Sequence, residues 1–261
     1  MSLGDSYASG FQATGPGQGA NTRNGFAYQV PQLAKARGHR LRLVNFGCGG
    51  ATTVSLLESK GCDPRALGPG GRDYAGRTQI AAAERFLRRH RGRVGLITVS
   101  IGGNDVTKCA READPIPCVV AAVTAINQNV VKIAERLRAA AGKKVRIVGT
   151  TYPDVILGQW VGENADQELA RLSVTAFKDF INPALSKAYG AVDGRLVDVT
   201  TASGAYGSLD ELVTLPSGTQ VRKPVAEVCR LTYYCEFRDI HARTSGYRLI
   251  AELVVGTLPR R

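Results

Sequence analysis

The chain contains no run of about 18 apolar residues, which removes the ordinary sequence signature of a bilayer-spanning helix. It has no C-x-x-C pair and only three histidines, so a zinc site finds little support and no metal is expected. No helix-turn-helix signature, zinc finger or aromatic-rich RNA motif occurs, and no internal repeat, low-complexity tail or linker is visible. Acid is in deficit, with 22 Asp and Glu against 34 Lys and Arg, a net charge of +12. Such a balance favours anionic lipid, cell-envelope polymers or nucleic acid. Without a recognition motif, nucleic acid is not expected as a partner. The densest basic run, Arg85 to Arg93, reads as the solvated end of a helix, where cations suit the dipole. The opening residues also lack the basic stretch, apolar stretch and cleavage site of a secretory leader.

What is present is ordinary globular composition, 44% apolar and 21% charged over 261 residues, ample for a proper core. Six cysteines, Cys48, Cys62, Cys109, Cys118, Cys229 and Cys235, fall in three local groups. Fifteen pairings are open. The economical one joins near neighbours, Cys48–Cys62, Cys109–Cys118 and Cys229–Cys235, and paired cysteines suit an oxidising compartment. Six buried free thiols in a cytosolic protein are the alternative. The expectation is an exported or cell-envelope protein whose leader is missing from this sequence, since Met1 opens almost directly on the first strand.

Strand and helix patterns alternate along one domain, residues 1–261. Strands are expected at the N-terminus, at Arg42 to Phe46, at the near-continuous apolar run Val94 to Ile101, at Val145 to Gly149 and at Leu196 to Val199. Helices are expected over Gly25–Arg37, Thr52–Glu58, Ala81–Arg89, Val119–Ala141, Gln167–Tyr189 with a bend near Pro183, and from Thr244 or Ser245 onward. The Gly-rich stretch Thr14 to Gly19 reads as a surface loop, and Thr214 to Val221 as a small hairpin. Five strands alternating with helices call for a doubly wound α/β domain with a parallel sheet.

Chemistry in such a sheet sits at the carboxyl ends of the strands. The first strand ends in Gly4-Asp5-Ser6, where Gly4 permits a tight turn and Ser6 is either a helix cap or a nucleophile. Gly49-Gly50 follows the second strand and Asn104 the third. A serine hydroxyl becomes a competent nucleophile only when an imidazole takes its proton. His39, after the helix-ending Gly38, and His90, among arginines, read as solvated surface residues. That leaves His241, in Arg238-Asp239-Ile240-His241, with Asp239 close enough in sequence to orient it. Asp5 reads as a local backbone anchor.

Taken together, Gly4-Asp5-Ser6-Tyr7, Asn45 to Thr53 with Gly50, Gly102-Gly103-Asn104-Asp105 and the late Asp-Ile-His resemble the ordered blocks of the SGNH hydrolases, the GDSL esterase/lipase family. The resemblance implies a flavodoxin-like, three-layer α/β/α sandwich with a five-stranded parallel sheet. It implies Ser6 as nucleophile, His241 as base, and the Ser6 N–H, Gly50 N–H and Asn104 amide as oxyanion donors. The local cysteine pairs look like those of secreted actinobacterial members. The sequence departs from the family in three places. The family's acid three residues before the histidine is Arg238 here, Ala242 replaces the following proline, and Tyr7 stands where leucine is usual. Either Asp239 or a backbone carbonyl near Arg238 then orients the imidazole, and Tyr7 reads as a packing variant.

The expected function is a secreted carboxylesterase or lipase, with phospholipase A activity within its range, acting on an ester lipid or an anionic envelope polymer without metal or cofactor. Carbohydrate O-acetyl esterase and a non-catalytic cell-surface binder are the alternatives. A monomer is expected. The irregular stretch Thr200 to Tyr234 reads as a cover over the crevice.

Overall fold

The computed structural model describes residues 1–111, 115–161, 165–215 and 218–260. In chain order, the first half runs β1 (Ser2–Gly4), α1 (Ser6–Ser9), β2 (Phe11–Gly15), β3 (Gln18–Asn21), α2 (Phe26–Lys35), α3 (Thr53–Glu58), α4 (Gln79–Arg89), β4 (Leu96–Ser100), α5 (Gly103–Thr107) and α6 (Pro115–Ala141). The second half runs β5 (Arg146–Thr150), α7 (Gln167–Thr175), α8 (Asn182–Gly190), β6 (Arg195–Val197), α9 (Val199–Ala202), β7 (Leu212–Thr214), β8 (Gln220–Arg222), α10 (Lys223–Leu231), α11 (Tyr234–Phe237) and α12 (Thr244–Gly256).

The central sheet is parallel, in the order β1-β4-β5-β6. The expected second strand, Arg42 to Phe46, contributes only a parallel bridge from Asn45 to Ser2 on the outer side of β1. Counting that bridge, the order is the 2-1-3-4-5 of flavodoxin-like folds. The ladder stops short because the next pair of groups is engaged elsewhere: Gly4 N–H donates to Gln79 at 2.7 Å, and Phe46 O accepts from the Tyr74 hydroxyl at 2.5 Å. Four paired strands therefore replace the expected five.

Alternation along the strands builds two cores. In β4, Ile97 and Val99 face one helical layer with Ile80, Leu87, Ile133, Leu137 and Leu185. Leu96 and, from β5, Val148 face the other, with Phe26, Val30, Tyr247, Ile250 and Val254 of α2 and α12. The result is a three-layer α/β/α sandwich. Helix α6 is long and apolar enough by composition to cross a membrane. It packs instead as a core helix, burying Ile126, Val130, Ile133 and Leu137 at helical spacing.

Three local readings change. The Gly-rich stretch is not a plain loop: β2 and β3 form an antiparallel hairpin across Pro16-Gly17, and Gly19 makes room for the Phe11 ring, whose edge would lie 2.4 Å from any added Cβ. His39 is buried, its Nε2 against Pro259 O at 2.7 Å, because the turn after α2 tucks beneath the C-terminus. The long helix expected over Gln167–Tyr189 is divided by a π-helical turn at Ala176–Ile181. Pro183, without an N–H, cannot continue the regular ladder, and the turn before it widens. Part of the Cys109–Cys118 segment and the tip of the β7–β8 hairpin lie outside the described residues; β7 and β8 pair as expected.

Candidate active site

The site is built where β1 turns into α1. Gly4 has φ +130°, and a Cβ there would lie 1.8 Å from Ser100 O, so the turn accepts glycine alone. The Gly4 backbone is gripped by Gln79, whose amide accepts from Gly4 N–H at 2.7 Å and donates to Gly4 O at 3.0 Å. Asp5 is fully buried and caps α1, taking Tyr7 N–H at 2.9 Å on Oδ1 and the Tyr152 hydroxyl at 2.5 Å on Oδ2. Burial outweighs these bonds and pushes the Asp5 carboxyl up to about 6.

Ser6 opens the first turn of α1, where backbone N–H groups lack intrahelical partners. Its Oγ lies 2.8 Å from His241 Nε2, although 235 positions separate the two residues. His241 Nδ1 lies 2.7 Å from Asp239 Oδ1, and the His241 backbone N–H donates to the same oxygen at 2.9 Å. Burial works to raise the Asp239 carboxyl, but its hydrogen bonds to His241 and the charge of the ring outweigh that, and it sits below the usual carboxylate range. Arg238 adopts the left-handed conformation, φ +53°. Its guanidinium turns away to Val161 O at 3.0 Å and to Gly158 O at 3.4 Å. Asp239, rather than a carbonyl, thus stands beside the imidazole.

The other two candidates meet at Ala51. Asn104 Nδ2 donates to Ala51 O at 2.9 Å, engaging one of its two hydrogens. Gly50 is exposed with φ +78°, and its N–H has no partner among the described residues, whereas Gly49 N–H is taken by Ala66 O at 2.8 Å. Asp105 secures the same turn by accepting from Thr53 N–H at 2.9 Å and Thr53 Oγ1 at 2.6 Å. A hollow of about 200 Å³, lined by Gly49, Gly50, Ser55, Tyr74 and Gln79 among others, adjoins Gly50. A larger one of about 450 Å³, at Glu135, Arg138 and Asp193, opens where α6 ends and β6 has yet to begin, at the opposite edge of the sheet. There Arg138 is held by carbonyls, among them Val145 O at 2.7 Å and Val192 O at 2.8 Å, which is a structural clasp.

Four blocks far apart in sequence thus converge on one sheet edge, and the chain matches the model of the GDSL-like lipase/acylhydrolase family over residues 2–249. It belongs to that family. This GDSL-like hydrolase is accordingly a carboxylic ester hydrolase. No curated protein sequence matches it. Among solved structures, the extracellular lipase of Streptomyces rimosus aligns with a TM-score of 0.54 at 18% identity, covering 98% of both chains. Phospholipase A1 of Streptomyces albidoflavus NA297 aligns with a TM-score of 0.51 at 15% identity, again over 98% of both. At such identities the likeness is one of fold.

The three disulfides join Cys48–Cys62, Cys109–Cys118 and Cys229–Cys235. Sequence reasoning passed over Tyr152, Phe11 and Gln79 and treated Tyr7 as packing. Phe11 lays its ring 4.4 Å from the His241 imidazole, and the Tyr7 hydroxyl donates to Ile240 O at 2.7 Å. Position at a strand end was the signal for Tyr152; the others carried none.

Proposed function

We propose that this chain is an exported serine hydrolase that cleaves carboxylic esters through an acyl-enzyme on Ser6. The reading rests chiefly on the 2.8 Å contact between Ser6 Oγ and His241 Nε2. His241 takes the hydroxyl proton as Ser6 attacks the ester carbonyl, then delivers it to the leaving alcohol. Asp239 keeps the proton on Nδ1, so that Nε2 is free to accept, and stabilises the imidazolium formed in attack. The Ser6 N–H, Gly50 N–H and second Asn104 amide hydrogen receive the oxyanion, one such donor being worth roughly 3–4 kcal/mol. Water then attacks the acyl-enzyme by the same route in reverse.

Export is supported by the three disulfides, which persist in oxidising compartments. A net charge of +12 suits an ester presented in an anionic lipid or envelope polymer. A structural relative described as an extracellular lipase fits export.

A p-nitrophenyl ester series from acetate to palmitate, run on the native chain and on Ser6→Ala, tests the proposal. Activity should fall about 10³-fold or more in the variant. A peak at long chains points to lipid esters, a peak at acetate points to deacetylation or small esters, and equal rates for the two proteins remove Ser6 from the mechanism.

A further inference from the structure

We propose that Tyr7 is a positioning residue for this reaction, its hydroxyl holding the peptide unit on which the His241 imidazole is mounted. The inference rests on the Ser6–His241 reading above and adds a group that touches neither substrate nor reacting atoms. The Ile240–His241 peptide is clamped at both poles. Its carbonyl accepts from Tyr7 Oη at 2.7 Å, and its N–H donates to Asp239 Oδ1 at 2.9 Å. That carboxylate oxygen also lies 2.7 Å from Nδ1 of the ring. A donor on an amide carbonyl polarises the amide and strengthens its N–H as a donor, so the two clamps reinforce each other.

Tyr7 is well fixed for the purpose. Its own N–H is bound by the buried Asp5 at 2.9 Å, and its ring is 3% exposed. The ring meets Tyr152 and Tyr247 edge-on, with centroids 5.1 and 5.5 Å away. Burial holds the hydroxyl well above the usual tyrosine range, so it remains a donor at every working pH. Ser6 and Tyr7 are adjacent in one helical turn. Nucleophile and base are thereby referenced to the same rigid piece of backbone twice, once through Ser6 Oγ and once through Tyr7 Oη. A leucine at this position fills space and cannot make the second link.

The test is Tyr7→Phe in the disulfide-bonded full chain, which keeps the ring and removes the hydroxyl. On p-nitrophenyl butyrate kcat should fall about 10- to 100-fold with KM within twofold, since small displacements of a catalytic group cost on that order. The downfield proton resonance of the Asp239–His241 hydrogen bond should shift. A kcat within twofold of native and an unmoved resonance overturn the proposal, whatever happens to Tm. Should the variant fail to fold, 3-fluorotyrosine at position 7 preserves shape and alters hydroxyl acidity alone. Both kcat and the resonance must then move, and constancy of both overturns the proposal. Activity surviving in Ser6→Ala removes the underlying reading; an inactive Ser6→Ala beside a fully active Tyr7→Phe removes only this one.

Discussion

Asp239 lies two residues before the histidine, and its carboxylate still reaches the ring because it bends back over its own backbone, binding His241 N–H and Nδ1 with one oxygen. A neutral amide at this position offers its oxygen less strongly and provides no charge for the imidazolium. Asp239→Asn should therefore lower kcat by up to about 10⁴-fold, by analogy with the corresponding change in serine proteases. Steady-state kinetics on a p-nitrophenyl ester measures this, and a loss under about tenfold would return the orienting role to the backbone. Arg238, at the position of the family's usual acid, has no acceptor to offer the ring and is instead bound to the segment near Trp160. A change of residue type there is matched by a change of address for the acid.

At the scale of elements, the proposed base, His241, is carried on a short segment pinned at several points. Thr232 bridges Ala242, and Tyr233 N–H binds His241 O at 3.0 Å. The Cys229–Cys235 disulfide ties α10 to α11 immediately before that segment. Closing so short a loop is worth about 2–3 kcal/mol on the chain-entropy model. The double variant Cys229→Ser, Cys235→Ser should lose roughly 5–10 °C in Tm. Its kcat should also fall, because the segment that carries His241 is released on one side. A kcat equal to that of the native chain would separate the disulfide from the positioning of His241. The hairpin of β2 and β3 has a comparable task, since it delivers the Phe11 ring to the imidazole.

For the whole molecule, two buried carboxyls contribute to how stability depends on pH. Desolvation raises Asp5 from 3.8 to about 6, and raises Asp154, bonded to Ser173 Oγ at 2.8 Å, to about 7. Between about pH 4 and 7 these two carboxyls keep protons that the unfolded chain has released, so their contribution to stability declines as pH rises through that window. The buried Met1 amino group, lowered to about 5, acts in the opposite sense between about pH 5 and 8. Asp239, held low, acts in the opposite sense, and its contribution is lost only as pH falls below the unfolded value. Asp154→Asn removes one source of the decline. Its Tm should exceed that of the native chain by a few degrees at pH 8, and the gap should close toward pH 4. A gap independent of pH, followed by calorimetry, would exclude ionisation of Asp154 as the cause.

Local sequence determined a good deal. Val94 to Ile101 is nearly continuously apolar because β4 is covered on both faces, and that pattern is readable in any context. Gly4, Ser6, Gly50, Asn104 and His241 could be singled out as candidates because turn geometry and the proposed chemistry restrict residue type at such points. Tertiary structure decided what depends on neighbours distant in the chain. Arg42 to Phe46 became a single bridge because Gln79 takes the Gly4 N–H and the Tyr74 hydroxyl takes Phe46 O, the two groups that would have extended the ladder. His39 was buried by a terminus some 220 residues away. Tyr7 gained a partner 233 positions downstream, a pairing for which local sequence carries no mark, since propensity and periodicity act over a few residues while a hydrogen bond requires only that two groups meet in space.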